Sequence, residues 1–155
     1  MPPRGKASRY TIRVQFKAPM SFVYRWCTDY SAEDPRLEKE HFTRRVLRRT
    51  HREVVYEDLY DNDREGWTWS RSVVTLHPPN RWRARAVGNY REWTLDYRLR
   101  KLSEDRTELV WTGVRRPVLL GDRNPTQAAM AREMRTMWTN FRRSLERDWR
   151  RRRRS

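Results

Sequence analysis

The sequence predicts a single α+β domain: one antiparallel sheet of seven strands and a long C-terminal helix. The elements follow the order strand, two short helices, six strands, helix. Three observations predict it. Six consecutive strand-like runs between residues 42 and 116 are separated by short polar breaks, which suits an antiparallel meander and not βαβ units. An apolar stripe at helical spacing runs from Met130 to Trp149 with no Gly or Pro inside it. The 155 residues are about what one domain needs. The domain is placed at residues 9–149, between a flexible, basic N-terminus (1–8) and a basic tail (150–155).

The first strand rests on Tyr10, Ile12, Val14 and Phe16 alternating with Thr11, Arg13, Gln15 and Lys17. Pro19 ends it. Apolar residues at 22, 23, 26, 27 and 30 then have helical spacing, and Ser31–Leu37 reads as a turn or a second short helix. The strand runs are 42–50, 53–60, 66–76, 81–88, 91–102 and 107–116. Asp61-Asn62-Asp63, His77-Pro78-Pro79-Asn80, Gly88-Asn89 and Ser103-Glu104-Asp105 supply the turn chemistry between them. One face is predicted to be dry: Trp67, Trp69, Trp82, Ala84, Ala86, Trp93, Leu95, Tyr97, Leu99, Leu109, Trp111 and Gly113. The opposite positions carry Arg81, Arg83, Arg85, Glu92, Asp96, Arg98 and Glu108. Asp122 or Asn124 is expected to cap the last helix, with Pro125 in its first turn. Arg150–Arg154 is expected to fray, because like charges repel.

Composition sets the limits on function. Leu, Ile, Val and Phe make up only about 17% of the chain, and the net charge is +16. Eight Trp, seven Tyr and five Met compensate, since each aromatic buries roughly 150–250 Å². No apolar run reaches the roughly 18–20 residues of a membrane-crossing helix, and the N-terminus has no apolar signal core, so a soluble cytoplasmic protein is expected. A single Cys27 excludes an internal disulfide or a CxxC site, and is expected to be a small buried hydrophobe. His41, His51 and His77 form no HxxxH or HExxH pair and are expected at the surface, without a metal. No GxGxxG, GxxxxGK[ST] or GxSxG motif is present, and nothing calls for a cofactor or names a catalytic residue.

Val14-Gln-Phe-Lys-Ala-Pro19, running into Phe22-Val-Tyr-Arg-Trp-Cys-Thr-Asp29, resembles the start of proteins in the START-related, Bet v 1-like (SRPBCC) superfamily. There a first strand commonly ends in an Ala-Pro step before a helix holding an aromatic and an Asp. His77-Pro-Pro-Asn-Arg-Trp82 and the terminal helix with Trp138, Phe141 and Leu145 resemble it as well. The resemblance implies the helix-grip fold, a curved sheet wrapped around the long helix, with a cavity between them for a small hydrophobic, lipid-like or polyketide-like ligand. The candidate lining is Trp67, Trp69, Arg71, Trp82, Trp93, Tyr97, Trp111, Met130, Met134, Met137, Trp138 and Phe141. The alternative for each ring is plain core packing, and it is strongest for Trp138 and Phe141. Two functions share this cavity: a carrier or sensor, and an enzyme of the polyketide cyclase/dehydratase type, for which Arg71 is the one polar candidate.

Charge suggests a third function. Arg44, Arg45, Arg48 and Arg49 cluster on one strand, Arg81, Arg83 and Arg85 on another, and Arg150, Arg151 and Arg152 open the tail. Such fields favour polyanions, so an adaptor for RNA, a ribosome or an acidic partner is a further expectation. The competing explanation is an Arg-rich composition that only solvates the fold. No known nucleic-acid module is visible, and no aromatic run resembles the stacking motif of RNA-recognition domains.

Overall fold

The computed structural model describes residues 5–38, 42–62, 66–89, 91–119 and 122–155. Residues 1–4, His41 and Asp63, for which the sequence predicts a flexible end, a surface histidine and a turn, lie outside them. The elements are β1 (Ser8–Phe16), α1 (Met20–Cys27), α2 (Asp34–Glu38), β2 (Phe42–Arg49), β3 (Glu53–Asn62), β4 (Gly66–His77), β5 (Arg81–Gly88), β6 (Arg91–Ser103), β7 (Arg106–Pro117) and α3 (Gln127–Arg154). The seven strands form one antiparallel sheet in the order β1-β7-β6-β5-β4-β3-β2. Only the β1–β7 pair joins strands distant in sequence. No helix among the described residues is long and apolar enough to cross a membrane.

The inner face carries the core. Tyr10, Ile12, Val14 and Phe16 of β1, Val54 and Tyr56 of β3, Trp82 and Ala84 of β5, and Leu109 and Trp111 of β7 are all buried. They meet Met130, Trp138 and Leu145 from α3, and Phe22 and Val23 from α1. Trp138 and Phe16 form a T-shaped pair at 6.1 Å, and Phe22 meets Trp149 at 5.1 Å. With so few aliphatics, aromatic contacts of this kind form much of the core, each contributing about 0.5–1.5 kcal/mol beyond its buried area.

On β4 the predicted parity is reversed. Val74 and Ser72 are buried, whereas Trp67 is 62% exposed and Arg71 lies on the same outer face. Trp67 and Arg71 are therefore not cavity lining. The cause is the cavity itself: beside a void the inner positions of β4 are Thr68, Ser70 and Ser72, so the small polar residues point in and the large ones point out.

α3 is capped by Thr126, whose Oγ1 accepts from the Ala129 N–H at 3.1 Å. Asp122 and Asn124 do not cap it. They serve the buried Arg115 of β7, which donates to Asn124 Oδ1 at 2.8 Å and to Asp122 Oδ2 at 3.0 Å. Pro125 precedes the helix, and its carbonyl accepts from the Tyr10 hydroxyl at 2.6 Å. Thr126→Ala is expected to lose about 1 kcal/mol, lowering the thermal midpoint by about 2–4 °C; a calorimetric scan checks it.

Contacts and helix extend toward both ends of the described residues. Asn124 Nδ2 donates to the Lys6 carbonyl at 2.7 Å and to Ser8 Oγ at 3.0 Å, which ties down residues 6–8. The arginine run stays helical to Arg154, because cations at a helix C-terminus complement the macrodipole. Along the free edge of β1, Gln127 accepts from the Thr11 N–H at 3.4 Å and donates to the Thr11 carbonyl at 3.1 Å. Glu146 accepts from the Lys17 N–H at 2.9 Å.

Candidate ligand-binding cavity

Between the sheet and α3 lie two adjoining chambers. The larger, of about 230 Å³, is walled by Trp93, Leu95 and Tyr97 of β6, Trp111 of β7, and Met130, Met134 and Met137 of α3. Thr68, Ser70, Ser72 and Ala86 also line it, and Asp58, Tyr60, Arg91 and Glu133 add a polar part to its wall. Gly113 contributes by having no side chain. A Cβ there would lie 2.5 Å from the Trp111 ring and 2.9 Å from that of Trp93, two indoles that meet at 5.8 Å. Trp69 also borders this chamber, although it is 39% exposed and shares the outer-face parity of Trp67.

The smaller chamber, of about 110 Å³, lies toward α1 and α2. Trp26, Cys27, Tyr30, Trp82, Trp138 and Phe141 line it. Trp138 and Phe141 thus border a cavity while remaining core residues. Trp82 stacks nearly parallel on Tyr97 at 4.8 Å, and its Nε1 donates to the Tyr30 hydroxyl at 3.0 Å. Tyr30 has φ +46°, an uncommon backbone state for a bulky side chain, and stacks on Tyr56 at 5.3 Å. Burial, then the neighbouring Tyr97 and Tyr56, hold its hydroxyl well above the usual tyrosine range. Burial, with Asp34 adding to it, likewise pushes the Cys27 thiol far up, so it is no nucleophile.

Arg44, Tyr56 and Tyr97 belong to the walls of both chambers. Arg44 is the residue that sequence reasoning placed wrongly among the polyanion contacts. Its side chain is only 5% exposed. Nε and Nη2 donate to the two Asp58 oxygens at 2.8 and 2.9 Å, and Nη1 donates to Asp34 Oδ2 at 2.6 Å. Its guanidinium lies 4.1 Å from the centre of the Tyr56 ring. Burial opposes its charge, but the Asp58 bonds, Tyr56 and Asp34 outweigh it, and the cation is held more firmly than in a free side chain. Asp34 goes the other way: burial lifts its carboxyl above the usual range despite Arg44 and a bond from Ser31. A guanidinium has five N–H groups, so three bonds leave two that can be offered to the chambers. A signal was present in the sequence. Phe42, Arg44 and Val46 alternate, and so do Val54, Tyr56, Asp58 and Tyr60.

The other predicted basic contacts divide. The β2 bulge between Val46 and Arg48 turns Arg49 toward the loop after α1, where it donates to the carbonyls of Asp29 and Tyr30. Arg45, Arg48 and Arg83 are exposed but paired with Glu57, Glu53 and Asp96. Arg81 and Arg85 are exposed on the outer face of β5, and Arg150, Arg151 and Arg152 on the last turns of α3.

Two buried polar atoms have no hydrogen-bond partner among the described residues, the Tyr24 hydroxyl and Trp138 Nε1. Buried donors are nearly always satisfied, and Trp138 lines the smaller chamber.

The sequence matches no protein-family model and no curated protein. Solved structures do match. The ZhuI aromatase/cyclase from Streptomyces sp. R1128 is similar over 95% of this chain and 96% of its own, with a TM-score of 0.70 and 15% identity. Ara h 8.0201 is similar over 90% and 98%, with a TM-score of 0.68 and 6% identity. A START superfamily protein from Mycobacterium smegmatis is similar over 95% and 99%, with a TM-score of 0.63 and 13% identity. With its seven-stranded sheet closed on a long C-terminal helix, the chain has the helix-grip fold of the START-related, Bet v 1-like (SRPBCC) proteins.

Proposed function

We propose that the protein is a carrier or sensor of a small, largely apolar ligand bearing at least one oxygen acceptor. The observation that carries this reading is the larger chamber, a space of about 230 Å³ walled by indoles and methionines and bordered by a buried arginine. Ligand cavities are mostly apolar with a few fixed polar groups, and this one falls below the usual range of roughly 300–1,000 Å³, which limits it to a small ligand. The methionines can repack around different shapes. The two remaining Arg44 N–H groups and Trp138 Nε1 are donors waiting for an acceptor. The likeness to an aromatase/cyclase supports a ring-bearing, polyketide-like ligand class.

One observation favours a second reading, a cyclase/dehydratase-type enzyme in the same cavity. Asp34 is a carboxyl with a raised pKa bordering the smaller chamber, and such groups mark candidate acid–base sites.

Native mass spectrometry of protein purified at high salt, followed by organic extraction, tests the proposal. A stoichiometric small mass is expected, recovered intact for a carrier and altered on incubation for an enzyme. Met134→Trp is expected to fill the chamber and abolish that binding, at about 1–3 kcal/mol of overpacking. Undiminished ligand in this variant overturns the assigned wall, and a bare protein mass overturns the carrier reading.

A further inference from the structure

The outer face of the sheet carries a feature that the cavity does not explain. Trp67 and Trp69 lie two residues apart on β4 and are 62% and 39% exposed. Leu59, opposite Trp69 across the β3–β4 ladder, is 40% exposed. Exposing two indoles side by side forfeits burial that an aliphatic-poor chain needs, and exposed apolar patches of this kind mark binding sites.

The pair is held firmly. β5 ends at Gly88, and the side chain of Asn89 continues the ladder in its place. Asn89 Oδ1 accepts from the Trp69 N–H at 2.7 Å, its Nδ2 donates to the Trp67 carbonyl at 3.2 Å, and its own N–H donates to the Trp69 carbonyl at 3.2 Å. Gly88 is required here, because a Cβ would sit 2.1 Å from the Trp69 carbonyl oxygen. The two indoles therefore project from a fixed backbone with Cα atoms about 7 Å apart, two strand residues.

Arginines continue the same face. Arg71 follows Trp69 at the next outward position of β4. Arg71 and Arg45 share one carboxylate, Glu57, at 2.6 and 3.3 Å. The Arg71 bonds, aided by the charges of both arginines, hold Glu57 below the usual carboxylate range. Arg85 on β5 is paired in register with Val73 and is exposed. Asp61 stands opposite Trp67 on the same face, so Arg45, Arg71 and Arg85 exceed the acids Glu57 and Asp61 by one, and the cations lie on the Arg71 side of the aromatic step.

We propose that this face binds single-stranded nucleic acid, two bases stacking on Trp67 and Trp69 and the phosphates meeting Arg45, Arg71 and Arg85. Aromatics presented from a sheet beside a basic track are how single strands are held without strong sequence preference. A duplex keeps its base faces stacked and has none to offer. An anionic membrane shares the charge chemistry, but insertion favours an apolar face set apart from the cations. Here arginines lie in the plane of the sheet beside the indoles, which suits a thin flexible polyanion lying along it.

The test is fluorescence anisotropy of end-labelled dT12 and rU12 with the full chain, at about 50 and 200 mM salt. Binding that weakens with salt and exceeds that of a duplex of equal length is expected. Trp67→Ala should weaken it about tenfold, and Trp67→Ala with Trp69→Ala about hundredfold or more. Neither residue belongs to the buried core, so far-UV circular dichroism should still report the native strand and helix content. Arg71→Gln with Arg85→Gln should reduce the slope of log affinity against log salt by about 1.4. Equal affinity in the double tryptophan variant, or equal affinity for duplex, overturns the proposal and leaves only diffuse attraction to the arginines. Failure to bind either oligomer overturns it too. If tryptophan-dependent binding is seen only with phosphatidylserine-containing vesicles, the face is a membrane site.

Discussion

Arg44→Met is expected to cost about 3–5 kcal/mol of folding stability, because it strands the buried Asp58 and the partly buried Asp34 without their cation. Asp58 accepts two bonds from Arg44 and Asp34 one, and the three groups form the polar centre between the two chambers. The pH dependence is diagnostic. Burial already raises the Asp34 carboxyl, and loss of the neighbouring Arg44 cation raises it further. A carboxyl with a raised folded pKa contributes its stability below the unfolded value and loses it as pH rises through the folded one. The deficit of Arg44→Met should therefore be smallest near about pH 4 and grow toward neutrality. Urea midpoints at the two pH values measure it. A pH-independent deficit would mean that the carboxylates reach water and that the triad is not sealed. Arg44→Met with Asp58→Leu should recover part of the loss, since an apolar pair of similar volume removes the unpaired charge.

Trp82→Ala is the second large effect, expected at about 3–5 kcal/mol. Trp82 is 1% exposed, stacks on Tyr97, meets Tyr24 edge-on at 5.7 Å and satisfies the Tyr30 hydroxyl. Its removal should enlarge the smaller chamber rather than collapse it, because Tyr97 on one side and the stacked Tyr30 and Tyr56 on another hold the walls apart. Added indole should then raise the thermal midpoint of the variant and leave the parent protein unchanged. No response to indole would show that the site closes. Trp82→Phe keeps the stack, loses the bond to Tyr30, and should cost less.

Much of the fold was legible because each element carries its own period. The alternation of β1, the break at His77–Asn80 and the Met130–Trp149 stripe reappear at the expected places, whereas β3 runs on through Asp61 and Asn62, where a turn was expected. The larger chamber was legible on the α3, β6 and β7 side, where apolar residues line it. It was illegible on β4 for a physical reason. Hydrophobic alternation reports filled space, and a strand beside a void inverts the signal: Thr68, Ser70 and Ser72 face inward while Trp67 faces water. Arg44 was lost for a related reason. A run such as Arg44-Arg45 looks uniformly solvated until the strand's period is applied to charge as well as to apolar residues. Asp58, opposite Arg44 in register, identifies the arginine of the β2 run whose partner lies inside.

The first strand of an open sheet normally offers unpaired N–H and C=O groups as a template for another chain. Here the Gln127 carboxamide occupies both groups of Thr11, as one more strand residue would, and Glu146 takes the N–H of Lys17 farther along. The helix that closes the cavity also blunts the sheet's edge. Its docking and the protein's resistance to strand addition are therefore coupled: any condition that lifts α3 from β1 uncovers a strand-pairing template in the same step.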